Sequence, residues 1–152
     1  MTDLNFEDII GRYFNLNLKK DNYRIYVEEA GQGAPLLCLH TAGSDGRQFR
    51  HILNDKRITN NYRVIVFDLP WHGKSNPPEG YELKDYKLTT NLYKEIIMSF
   101  CMQYKLIDPV IMGCSMGGRV VLHLALENCD YFKAVIALEG SDKLEPYYDL
   151  DW

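Results

Sequence analysis

Gly113-Cys114-Ser115-Met116-Gly117-Gly118 is the stretch of this chain best suited to chemistry. Its G-x-S-x-G spacing fits a serine held on a sharp, strained turn between a strand and a helix, with its hydroxyl exposed as a nucleophile. Glycines two places before and after let backbone and helix close in without a Cβ clash. A helix beginning here would aim its first amide hydrogens and its positive dipole end beside the serine oxygen. The amide of Met116 would then face a developing oxyanion, as acyl transfer requires. Two other readings fit the bare spacing: a glycine-rich turn with a structural serine, and a phosphate-binding turn. The dinucleotide fingerprint G-x-G-x-x-G does not fit, because it needs a glycine where Ser115 stands. Cys114, a nucleophile by type, is expected to point away from the presented side.

The elements that would position this turn are legible around it. Val110-Ile111-Met112 is a continuous apolar run, the pattern of a strand buried on both faces. Gly117-Gly118 opens a helix carrying Val120, Val121, Leu124 and Leu126. Pro35–Leu39, Arg63–Asp68 and Ala134–Leu138 repeat the strand pattern. Between them, a short helical stretch carries Phe49, Ile52 and Leu53. A longer helix within Leu88–Tyr104 carries Leu92, Ile96, Met98, Phe100 and Met102 at near-helical spacing. The opening segment from Tyr13 to Val27 alternates apolar and polar residues about Lys20-Asp21-Asn22, which predicts a β-hairpin. The whole reads as one α/β domain over residues 1–152, a mostly parallel sheet flanked by helices. Ligands of such sheets lie at the carboxyl ends of the strands. The loops after Leu39, Phe67, Met112 and Leu138 therefore matter most.

Two of those loops carry further motifs. His40-Thr41-Ala42-Gly43-Ser44-Asp45 follows one strand, and Asp68-Leu69-Pro70-Trp71-His72-Gly73-Lys74-Ser75 follows another. Together with the G-x-S-x-G turn, they resemble the α/β-hydrolase superfamily from about Leu16 to Asp142. The first loop resembles that family's H-G-x segment, with Thr41 where glycine is usual. The resemblance makes the amide of Ala42 the second oxyanion donor, beside that of Met116. The other loop resembles D-x-P-G-H-G-x-S, with Trp71 in place of glycine, a segment that is mainly structural in the family. His72 is accordingly not expected to be the catalytic histidine. The wording H-T-A-G-x-D-x-R-Q-F and G-C-S-M-G-G is similar to a group of uncharacterised bacterial and fungal hydrolases. That group is similar to simple esterases and carbon–carbon bond hydrolases that use no metal or organic cofactor. The implied activity is a serine hydrolase acting on an ester, thioester, amide or activated C–C bond of a small-molecule substrate through a Ser115 acyl-enzyme.

In such enzymes the triad follows in the order Ser, then Asp or Glu, then His. A serine hydroxyl is a weak nucleophile until an imidazole accepts its proton and a carboxylate orients that imidazole. The four histidines are His40, His51, His72 and His123, and none follows the last predicted strand. His123 lies eight residues past Ser115, about 12 Å along a helix and out of hydrogen-bond reach. His51 is expected to be solvated on a flanking helix. Glu139, in Glu139-Gly140-Ser141-Asp142, is a candidate acid, but a loop carboxylate that lines the pocket or binds nothing is the stronger reading. The expectation is that base and acid lie beyond Trp152. The chain then reads as the first half of an enzyme, truncated before its cap and last strands and inactive alone. The alternative is a receptor-like protein that keeps the fold and binds a ligand without turnover.

Composition narrows the remaining classes. The 152 residues are 46% hydrophobic and 25% charged, with a net charge of −4 and no block of like charge. That argues against nucleic acid or anionic lipid as a partner. The N-terminus is acidic, and the apolar runs are strand-length, too short to cross a bilayer. The four cysteines form no C-x-x-C pair, and the reading is a reduced, cytoplasmic, soluble protein. The strand Ala134–Leu138 is expected to present an apolar sheet edge, a site for homodimerisation or aggregation.

Overall fold

The structure, a computed structural model, describes residues 6–83 and 87–141. Strand β1 (Ile10–Leu18) and strand β2 (Asp21–Ala30) form the expected hairpin. The turn is tighter than the alternation suggests: Leu18 pairs with Asp21, so Asp21 and Asn22 belong to the strand. Lys19 takes the left-handed conformation, φ 56°, as a two-residue hairpin turn requires. Next come β3 (Ala34–Leu39), a 3-10 turn over Gly46–Phe49, α1 (Arg50–Asn54) and α2 (Lys56–Thr59). They are followed by β4 (Tyr62–Phe67), α3 (Thr90–Gln103), β5 (Val110–Cys114), α4 (Met116–Glu127) and β6 (Ala134–Leu138). The long helix lies within its expected span, and Thr89 caps its start by accepting from the Leu92 amide. The short α2 has no counterpart in the apolar spacing, since its four residues are too few to show a period.

The six strands form one sheet in the order β1-β2-β4-β3-β5-β6. Strands β3, β4, β5 and β6 run parallel, while the hairpin joins antiparallel through β2 and β4. The hairpin departs from strict strand–helix alternation because adjacent strands joined by two residues can only pair antiparallel.

Side-chain parity sorts the core into two layers. Leu37, Leu39, Ile65, Phe67 and Ile111 pack with Ile96, Ile97 and Phe100 of α3 and with Val120, Val121 and Leu124 of α4. The intervening Leu36, Cys38, Val64, Val66, Val110 and Met112 pack with Phe49 and, from α1, Leu53. Strands covered on both faces must be apolar at every position, which explains their unbroken hydrophobic runs. Strand β6 is different. Val135 and Ala137 join the layer under α4, but Ile136 and Leu138, facing the other way, are 40% and 44% exposed. Among the described residues β6 is the outermost strand on that side. Cys38 and Cys101 are buried as free thiols, and burial pushes both up to about 12.

Candidate active site

The handover from β5 to α4 occupies a single residue. Ser115 has φ 53° and ψ −110°, a left-handed conformation that costs an L-residue about 1–3 kcal/mol. Its amide donates to Leu138 O at 2.8 Å, and its carbonyl accepts from the Arg119 amide at 2.7 Å. These bonds fix the turn from both sides. The side chain caps nothing in α4, and the residue is exposed. Cys114 is half-buried at the end of β5. Met116 is the first residue of α4, a position whose amide has no acceptor within its own helix.

Two glycines permit this geometry. A Cβ on Gly113 would lie 2.2 Å from Gly117 O, and a Cβ on Gly117 would lie 2.5 Å from Leu39 O and 3.0 Å from His40 O. All three are backbone atoms, which cannot swing aside as a flexible side chain would. The start of α4 is therefore pressed against the end of β3, where the His40–Asp45 loop begins.

That loop is held by side chains at each step. His40 is buried, its Nε2 accepting the Leu69 amide at 3.1 Å and its Nδ1 meeting Thr41 O at 2.8 Å. The pair of contacts requires the neutral imidazole with its proton on Nδ1. Burial is the main reason that His40 is held below its ordinary value. The Thr41 amide donates to Gln48 Oε1 at 2.9 Å, and the Ser44 amide closes a turn onto Thr41 O across Ala42 and Gly43. The left-handed residue of this turn is Gly43, φ 64°, and Thr41 is not left-handed. Threonine in place of the usual glycine thus carries no left-handed strain. Ala42 is half-buried within the turn. Asp45 caps the 3-10 turn that follows and takes three hydrogen bonds from the Arg47 guanidinium, at 2.8, 3.1 and 2.6 Å. The guanidinium holds its carboxyl down at about 2.

The third loop is clamped by Asp68, which is 5% exposed. Its carboxylate accepts the Gly46 amide and the Lys74 amide, each at 2.7 Å. One side chain so ties together the loops after β3 and β4. Ser75 Oγ donates to Asp68 O at 2.6 Å and accepts the Tyr26 amide at 2.9 Å. Two residues of the loop are left-handed, Trp71 at φ 69° and Gly73 at φ 50°. The His72 Nδ1 contacts Pro70 O at 3.0 Å, and its ring lies 5.1 Å from that of His40. Sequence reasoning did not foresee that Asp68, His40 and Ser75 lock neighbouring loops to one another. The spacing from Asp68 to Ser75 held the signal, since a carboxylate and a hydroxyl seven residues apart can close a loop on themselves.

The remaining candidates are dispersed. His51 is exposed on α1, and His123 is half-buried on α4 with its Nε2 lacking a hydrogen-bond partner. Among the described residues no histidine is hydrogen-bonded to Ser115. Glu139 directly follows β6, is exposed, and has φ 51°. Asp142 lies outside the described residues.

A mostly parallel sheet with a strained serine between β5 and α4, and with clamped loops at neighbouring strand ends, defines a hydrolase-type α/β architecture. This chain belongs to the alpha/beta hydrolase fold family, whose sequence pattern matches residues 34–151. It is similar to a pimeloyl-[acyl-carrier protein] methyl ester esterase of Vibrio cholerae, 25% identical over 119 residues that cover 78% of this chain and 42% of that one. It is also similar to the magnesium-chelatase 30 kDa subunit of Rhodobacter capsulatus, 33% identical over 95 residues, 62% of this chain and 31% of that one. Among solved structures, a thermophilic esterase from Thermogutta terrifontis shares the fold with a TM-score of 0.76 at 20% identity, over 88% of this chain and 47% of that chain. The chain thus spans less than half the length of these relatives. No helix among the described residues is long and apolar enough to cross a membrane.

Proposed function

We propose that this chain carries the nucleophile and the oxyanion-binding loops of a serine hydrolase acting on small carboxylic esters. The observation that carries the reading is Ser115 itself, exposed at φ 53° between β5 and α4. Strain stored at one residue of an otherwise relaxed strand–helix junction is the mark of a functional site. Ser115 Oγ attacks the ester carbonyl carbon and loses its proton to a histidine supplied from outside this 152-residue chain. The carbonyl oxygen gathers the negative charge, held by the amides of Met116 and Ala42. The C–O bond then breaks, the alcohol leaves with the histidine's proton, and water releases the acid from the acyl-enzyme. The choice of an ester over a thioester, amide or C–C bond follows the esterases among the relatives. The 152-residue chain by itself is expected to be inactive, because a hydroxyl without a base is a poor nucleophile.

A fluorophosphonate probe tests the reading in the full-length protein. Labelling that maps to Ser115 and disappears in Ser115→Ala is the expected result. A second reading, ligand binding without turnover, is favoured by the lack of any histidine bonded to Ser115 among the described residues. Full-length protein that binds esters yet leaves Ser115 unlabelled would establish it instead.

A further inference from the structure

The left-handed Trp71 is the one strained residue in the site loops, apart from Ser115 and Glu139, that a glycine would relieve. A bulky aromatic at positive φ is a genuine outlier. The loop around it imposes the conformation: Asp68 grips the Gly46 and Lys74 amides, the His72 amide donates to Leu69 O, and the Ser75 amide donates to His72 O. Burial does not account for a tryptophan here, since its side chain remains 39% exposed. It meets Tyr81 edge-on, with ring centroids 5.0 Å apart, and Tyr81 is itself 38% exposed. The placement is informative. Trp71 follows β4 at the same end of the sheet as Ser115 follows β5, and β4 and β5 flank β3. Two strand spacings, about 10 Å, separate β4 from β5. The loop of Trp71 also touches the loop of Ala42, through the Leu69 amide and the His72 ring against His40.

We propose that Trp71 is a specificity-determining residue: its indole, braced by Tyr81, is a flat apolar wall of the substrate site that selects esters bearing an aryl or other planar apolar group. This rests on Ser115 marking the substrate site. Planar groups gain most from an aromatic wall, because ring–ring contact adds to plain area burial. Tyr81 sets the angle of the indole, so it acts through Trp71 as a positioning residue.

The test measures binding without turnover in full-length protein carrying Ser115→Ala. Phenyl acetate and ethyl acetate are titrated calorimetrically into this protein and into versions that also carry Trp71→Gly or Trp71→Phe. Trp71→Gly is expected to weaken phenyl acetate binding about tenfold, Trp71→Phe to restore most of it, and ethyl acetate to change less than about twofold. Equal effects on both esters, or none on phenyl acetate, would overturn the proposal. Thermal melts accompany each variant, and Trp71→Phe keeps the test decisive should Trp71→Gly unfold. The fluorophosphonate result is independent: aryl selectivity at an unlabelled serine would remove the hydrolase reading and leave the wall intact.

Discussion

Removing the carboxylate of Asp68 is the sharpest test of how the site loops are held. In Asp68→Ala two amides lose their acceptor. The Gly46 amide is buried, and leaving such a donor unsatisfied costs about 1–3 kcal/mol. The Lys74 amide is only partly buried, so water can reach it and its cost falls near the lower end, about 1 kcal/mol. The expected total is about 2–4 kcal/mol, a large share of the 5–15 kcal/mol typical of a domain. Asp68→Asn is the informative companion. It keeps the shape and one acceptor but turns an NH2 group toward a backbone donor, so it should recover only part of the loss. Urea denaturation with an unchanged m-value reads both variants as stability changes. An Asp68→Ala protein within about 0.5 kcal/mol of wild type would refute the clamp, as would an Asp68→Asn protein equal to wild type.

Gly117→Ala drives a Cβ into Leu39 O and His40 O, and overpacking against backbone should cost about 3 kcal/mol or more; a melting curve near that of wild type would contradict the packing of α4 on β3. His40, buried and held below its ordinary 6.5, binds fewer protons folded than unfolded. The stability it supports is therefore whole above 6.5 and is lost as pH falls through the lower folded value. His40→Gln should flatten the fall in urea midpoint between about pH 7 and about pH 5, and an unchanged slope would assign that fall to other groups. The exposed Ile136 and Leu138 should make the 152-residue chain self-associate through β6. Sedimentation velocity should show Ile136→Lys with Leu138→Lys shifting the chain toward monomer, and a clean wild-type monomer would remove the premise.

Much of the architecture was readable in advance because its causes are local. Buried parallel strands must be apolar at every residue, so Val110–Met112 announced itself; Ala134–Leu138 showed the same run, although only its Val135 and Ala137 pack under α4. The elbow was equally plain, since a Cβ on residue 113 would fall 2.2 Å from Gly117 O and only glycine avoids it. What stayed hidden depends on contacts between loops distant in sequence. Nothing local to Asp68 says that it holds Gly46, 22 positions away. Nothing local to His40 says that it accepts from Leu69. The substitution of Trp71 for glycine was visible as a departure, but its left-handed backbone was not, because identity alone does not report φ.

The bond from the Ser115 amide to Leu138 O has a bearing on assembly. Ser115 is moored to the outermost of the parallel strands among the described residues, the one with least of its surface covered. Hydrogen exchange at that single amide would therefore time the docking of β6 during folding. Any partner segment that stiffens β6 would, through that tether, also quieten the serine.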